Sequence, residues 1–161
     1  MKYFTIKEFC VSGSHPSLVE VPKPGSAEYR NITRLAESLL DFVREKLGRP
    51  LRVTSGYRPP KLNKAVGGSA TSAHLKGLAA DLQTGNGTTD NIKIMEALYA
   101  AGKDFDQVIA EYPAFDSAGN VVSAKWVHIG LREGPGRRQA LYYNGSGYRA
   151  LKPTVNYKFA R

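Results

Sequence analysis

Apolar residues recur at helical spacing through Ile32, Leu35, Ala36, Leu39, Leu40, Val43 and Leu47, which predicts an amphipathic helix over residues 27–47. Ser26 stands as its N-cap, and Gly48 followed by Pro50 is a stop signal. A second helix is predicted over 91–101, with Ile92, Met95 and Leu98 inward and Gly102 closing it. The period then falls to two. Residues 107–112 alternate as a half-buried strand does, with Gln107 and Glu111 on the polar face. Turn residues at 116–120 lead to a returning strand over 121–131, with Trp126, His128 and Gly130 on one face and Val127, Ile129 and Leu131 on the other. Short strands are expected at 51–54 and 79–83, and Asn144-Gly145 predicts a hairpin within 141–149. Residues 10–26 and 59–73 read as loops, because Pro, Gly and Ser interrupt any regular pattern. The sum is an α+β fold in a single domain over 1–161, a mostly antiparallel sheet with helices packed on one face. Within it, 1–26 is expected to be a docking segment and loop, 27–131 the core carrying the site, and 132–161 a C-terminal hairpin and tail.

Composition narrows the class of protein. With 161 residues, 42% hydrophobic and 23% charged, the chain can bury a core without staples. No stretch is long and apolar enough to span a bilayer, and the first residues lack the pattern of a secretory signal. The expectation is a protein made in the cytoplasm that works there or leaves by lysis, by a partner channel or on a particle. The single cysteine, Cys10, lies between Phe9 and Val11 and reads as a small buried hydrophobe rather than a reactive thiol. The net charge of +9 attracts polyanions such as anionic wall polymers. No run of five like charges marks a nucleic-acid tail, so no specific nucleic acid is expected.

The candidate chemistry concentrates in Ser72-Ala73-His74-Leu75-Lys76-Gly77-Leu78-Ala79-Ala80-Asp81 and in Trp126-Val127-His128. Two imidazoles and a carboxylate make the donor set of a catalytic zinc site, which takes three protein ligands and leaves a fourth position for water. Gly77 and the loop before His74 favour a turn that brings a strand-borne Asp81 back beside His74. Asp81 paired with Arg58, or capping a helix, reads the same residues equally well. His128 alone, in an apolar strand, is more often a satisfied core histidine. Glu111 is a candidate general base or a solvated edge residue. Arg58, held before two prolines, suits oxyanion stabilisation or a structural ion pair. His15 has no assigned role.

These residues resemble the zinc D-alanyl-D-alanine carboxypeptidase family of peptidoglycan peptidases, in its branch of small stand-alone bacterial and phage domains. Ser72-x-His74-x-x-Gly77-x-Ala79-x-Asp81 and Trp126-x-His128 carry the likeness. Phe4-Thr5-x-x-Glu8-Phe9, Ser55-Gly56-Tyr57-Arg58-x-Pro60-x-x-Asn63, Gly67-Gly68-Ser69-Ala70-x-Ser72 and Asp106-Gln107-x-Ile109-x-Glu111 extend it over roughly residues 3–131. The resemblance implies a Hedgehog/D,D-peptidase-like fold with one zinc on the open face of the sheet, held by His74, Asp81 and His128. It implies Glu111 as base, Arg58 steadying the oxyanion, and Ser72, Gln107 and Trp126 around the substrate. A zinc-activated water would then hydrolyse a stem-peptide bond with no covalent intermediate, as a D-Ala-D-Ala carboxypeptidase or an L-Ala-D-Glu-type endopeptidase, in a monomer acting on the cell wall.

One departure stands out. Residues 112–125 separate Glu111 from Trp126-x-His128, where relatives have only a few residues. A longer hairpin tip keeps the geometry; a slipped strand makes Asp106 or Asp116 the base. Lys125 occupies the position where other branches carry an acid. Two further functions compete with the enzyme: a non-catalytic domain of the same fold that binds wall peptide or serves in a phage particle, and a polyanion binder. The second leaves the two histidines and Asp81 unexplained.

Overall fold

The computed structural model describes residues 1–161. The apolar stripe of the first helix is buried from Ile32 to Val43, and that burial holds together α1 (Ala27–Leu35), a π-helical stretch (Ala36–Leu40) and α2 (Asp41–Leu47) as one continuous element. Ser26 caps it, its Oγ accepting from the Tyr29 amide at 3.2 Å, and Gly48 ends it in the left-handed region at φ 63°. Asp41, buried in the middle of this helix, accepts from the backbone amides of Lys2 and Tyr3 at 2.8 and 3.1 Å. The N-terminal segment is thereby tied across the helix, and Phe4, Ile6 and Phe9 enter the core.

The rest of the chain runs through β1 (Arg52–Ser55), α3 (Pro60–Ala65), β2 (Ala79–Gln83), α4 (Thr88–Ala100), β3 (Gln107–Glu111), β4 (Ala114–Phe115), β5 (Val121–Ser123), β6 (Trp126–Gly130), β7 (Gln139–Tyr143), β8 (Tyr148–Ala150), β9 (Lys152–Pro153) and β10 (Phe159–Ala160). Six strands form one sheet in the order β1-β2-β6-β3-β7-β8. Every neighbouring pair is antiparallel except β3 with β7, which run parallel. The fold is α+β with a mixed sheet. Leu82, Ala80, Val127, Ile129, Val108 and Ala110 alternate onto the core face, beneath Met95 and Leu98 of α4. Asp81, His128, Ile109 and Glu111 therefore share the opposite face.

Three local expectations change. The loop expected over 59–73 contains α3, which opens on Pro60, where the missing N–H costs nothing, and buries Leu62. The second helix begins at Thr88, three residues earlier than its apolar pattern. The returning strand is split into β5 and β6, because the Asn91 side chain donates to the carbonyls of Ala124 and Lys125, both at 3.0 Å. That bend takes β5 out of the main sheet and pairs it with β4 as a separate ribbon.

Candidate metal centre

His74 reaches the sheet by way of a short turn. Ser72 caps the 3-10 turn Ala73–Lys76, its Oγ accepting from the His74 amide at 3.3 Å. Gly77 closes the turn at φ 69°, and a Cβ there would lie 2.8 Å from the Glu28 carbonyl oxygen, so only glycine lets the turn rest on α1. The imidazole is 2% exposed, with Nδ1 2.7 Å from the Gly56 carbonyl oxygen. That carbonyl can only accept, so Nδ1 carries the proton and Nε2 presents a lone pair to the sheet face. Gly56 is itself pressed against the N-terminal segment. A Cβ on it would stand 2.4 Å from the Phe9 carbonyl oxygen, which accepts from the Tyr57 amide at 2.7 Å.

Asp81 and His128 face each other in register across β2 and β6. His128 Nδ1 lies 3.0 Å from Asp81 Oδ1 and 3.2 Å from His74 Nε2, and His74 Nε2 lies 3.4 Å from Asp81 Oδ1. Ligand atoms about 2.0–2.2 Å from a tetrahedral zinc stand about 3.3–3.6 Å apart. The observed triangle approaches one face of such a tetrahedron, and these three residues form a group able to hold a metal ion. Protonation agrees with that use. Burial pushes the His74 imidazole toward its neutral form, the form that binds metal. Burial works against the charge of Asp81 as well, but the two imidazoles beside it prevail and hold its carboxyl well below the usual carboxylate range. The alternative expected for Asp81, an ion pair with the Arg58 guanidinium, is not formed: Arg58 Nη2 donates to Ser72 Oγ at 3.3 Å.

Glu111 stands on the same face, opposite Trp126, with Ile109 opposite His128. The strand has not slipped. Residues 112–125 form the β4–β5 ribbon and leave this register intact. Glu111 is 8% exposed, and burial, helped by the nearby Asp81 charge, pushes its carboxyl up from 4.5 to about 7. Asp116 lies outside this region, its carboxylate accepting from the amides of Ala118 and Asn120 in the ribbon turn. Asp106 is engaged by Arg137, whose Nε and Nη2 donate to its two oxygens, both at 2.7 Å. Arg58 is half-buried, its Nε has no partner, and burial lowers its pKa.

The family model for peptidase M15 matches residues 2–130. The chain belongs to this family. It is a family of zinc D-alanyl-D-alanine carboxypeptidase-like peptidases, and the match takes in the N-terminal segment from Lys2, the Ser72–Asp81 motif and β6. No curated protein matches the chain.

In this M15 peptidase one cleft of about 570 Å³ gathers His74, Asp81, His128, Glu111, Arg58, Ser72, Gln107 and Trp126. Gln107 donates to the Gln139 side chain at 2.9 Å, and Trp126 packs against Tyr112 with ring centroids 5.4 Å apart. Tyr112, Arg137, Tyr143 and Tyr148 also line this cleft, and the sequence reading gave none of them a place in the site. Tyr112 takes a left-handed φ of 49° at the end of β3, uncommon for a bulky side chain. Its ring meets Tyr143 at 5.7 Å, and Tyr143 meets Tyr148 at 4.9 Å. The Asn144-Gly145 hairpin was a usable signal, since Tyr143 and Tyr148 flank it. What the hairpin could not tell was that β7 lies beside β3.

Proposed function

We propose that this M15 peptidase is a zinc metallopeptidase that hydrolyses a peptide bond in peptidoglycan stem peptides, with His74, Asp81 and His128 holding the zinc. The observation that carries the reading is the triangle of His74 Nε2, His128 Nδ1 and Asp81 Oδ1 at 3.0–3.4 Å, sharing a cleft with a carboxyl poised near neutrality. Zinc in such a site polarises a carbonyl and lowers the pKa of bound water to about 7.

The chain's own residues do the rest. Glu111, with its pKa near the working pH, takes a proton from the attacking water and passes it to the leaving amine. Arg58 lines the cleft, and its guanidinium offsets the charge growing on the carbonyl oxygen. Ser72 holds both ends of this arrangement, accepting from the His74 amide and from Arg58 Nη2. Gln107 and Trp126 border the substrate on either side of the metal row. The substrate lies outside the cytoplasm, in the cell wall.

Mass spectrometry of defined muropeptides incubated with zinc-loaded and with chelated protein tests this. Loss of one terminal alanine, only with zinc, establishes a carboxypeptidase. A zinc-dependent cut further inside the stem establishes an endopeptidase of the L-Ala-D-Glu type. No zinc-dependent product from any muropeptide overturns the proposal in favour of a wall-binding domain of the same fold.

A further inference from the structure

One charged group in the cleft has no part in the chemistry above. Arg137 lies beyond the family match, in the segment between β6 and β7, and lines the same cleft as the candidate metal centre. Its neighbours are fixed. The Gly136 amide donates to Asp104 Oδ1 at 2.9 Å, and a Cβ on Gly136 would sit 2.1 Å from the Phe105 carbonyl oxygen. The amides of Arg138 and Gln139 donate to the carbonyls of Phe105 and Asp106, both at 3.0 Å. The Arg138 guanidinium lies over the Tyr99 and Phe105 rings at 4.8 and 5.1 Å. Arg137 alone turns to the cleft, and its side chain is still 47% exposed while paired with the buried Asp106.

The manner of that pairing matters. Asp106 takes the side of the guanidinium formed by Nε and Nη2, at 2.7 Å each, which leaves the Nη1 edge unused. A guanidinium held this way still presents a planar pair of donors matched to a second carboxylate. Arg132 Nη1 lies 4.0 Å from the same Asp106 oxygen, so two guanidinium groups share one carboxylate and this end of the cleft stays positive. Asp106 precedes Ile109, the residue facing His128, by three residues, or about 10 Å along the strand. The opposite end of the cleft is aromatic, at Tyr112, Trp126, Tyr143 and Tyr148.

We infer that Arg137, braced by Asp106, anchors a carboxylate of the substrate at the end of the cleft away from the aromatic wall, and so sets the direction in which a peptide lies. The inference rests on the proposed peptide substrate. Two carboxylates are chemically equivalent here: the C-terminal one, and one carried by an inner acidic residue of the peptide.

The test compares wild type, Arg137→Gln and Arg137→Lys on three versions of one stem peptide: the free acid, its C-terminal amide, and the peptide amidated at the inner acid. Binding to the metal-free protein is measured by calorimetry, and KM and kcat on the zinc-loaded protein. For R137Q the expected result is about 10- to 100-fold weaker binding of the free acid and a matching rise in KM. Zinc content should stay unchanged, the melting temperature should fall as the buried Asp106 loses its bidentate partner, and binding of the free acid by R137K should fall between. Amidating the carboxylate that Arg137 holds should abolish the difference between wild type and R137Q, and which amide does so names the source. An equal loss on all three peptides, or none, overturns the anchor and leaves Arg137 a latch for its own segment. Absence of turnover by wild type with Arg137-dependent binding retained counts against hydrolysis and for the anchor; absence of both overturns both.

Discussion

Replacing Glu111 with glutamine should make the metal-free protein more stable at alkaline pH while removing its hydrolytic activity. The carboxyl's pKa rises from 4.5 to about 7 on folding, chiefly because it is buried and secondly because Asp81 is charged nearby. A raised carboxyl pKa means that the folded chain binds more protons than the unfolded one between those values. Stability conferred by the neutral form is therefore complete below about pH 4.5 and is lost as pH rises through about 7. At about 1.4 kcal/mol per pH unit, the loss approaches about 3 kcal/mol for wild type. Partial solvent access brings the expectation to about 2–3 kcal/mol. Glutamine has the shape of the neutral acid and no charge to bury, so E111Q escapes this loss.

Thermal melts of the chelated proteins from pH 4 to pH 9 measure the difference. The two should melt together near pH 4 and diverge upward, with E111Q melting about 5–10 °C higher at pH 8. Zinc should narrow the gap, since a cation beside Asp81 favours the charged Glu111. E111Q should bind zinc as wild type does and cut nothing. A melting difference that does not change with pH, or an E111Q that is less stable at pH 8, refutes the electrostatic argument. Retained turnover refutes the assignment of Glu111 as base.

Two further outcomes follow from the same geometry. Zinc at a thousandfold excess over its dissociation constant should stabilise the wild-type fold by about 4 kcal/mol, read as a rise in melting temperature that His74→Ala or His128→Ala abolishes; an equal rise in both variants would place the metal elsewhere. Gly56→Ala forces a methyl to within 2.4 Å of the Phe9 carbonyl oxygen, so the N-terminal segment must shift. The expected cost is about 1–3 kcal/mol of stability. Because the Gly56 carbonyl also orients His74, zinc affinity in a chelator competition should fall about 10- to 100-fold. Wild-type affinity in a destabilised G56A would show that the two effects are separable.

The parts of the site that were legible in the sequence are those built by local pattern. The chain from Ser72 to Asp81 contains its own cap, its left-handed closing glycine and its strand, so a turn carrying His74 back to Asp81 could be read directly. The alternation around His128 and Glu111 likewise placed both on one face of a sheet. Residues 59–73 misled because Pro60 breaks a preceding element and starts a new one with the same ring. The parallel pairing of β7 with β3 was invisible, since nothing in the strand from Gln139 to Tyr143 states which distant strand it meets. Arg137, Tyr143 and Tyr148 enter the cleft only through that pairing, and so their place could not be argued from spacing.

Two carboxyls on this one sheet face arrive at opposite states, and neighbours rather than burial decide between them. Asp81 on β2 and Glu111 on β3 are separated by β6, a distance of about 10 Å between strands. Burial penalises the charge on both. Asp81 lies against two imidazoles that outweigh the penalty, so it stays ionised and able to hold a cation. Glu111 faces Trp126 and feels the charge of Asp81 across the intervening strand, so it stays ready to gain or lose a proton near neutral pH. Pairs of titratable groups driven apart in this way mark the division of roles in acid–base sites. Asp106 and Asp116 differ from Glu111 in the same respect: each is tied up by donors that hold it in the charged form, Asp106 by Arg137 and Asp116 by Asn120. A base must be able to accept a proton at the working pH, and of these three carboxyls only Glu111 is both in the cleft and pushed upward.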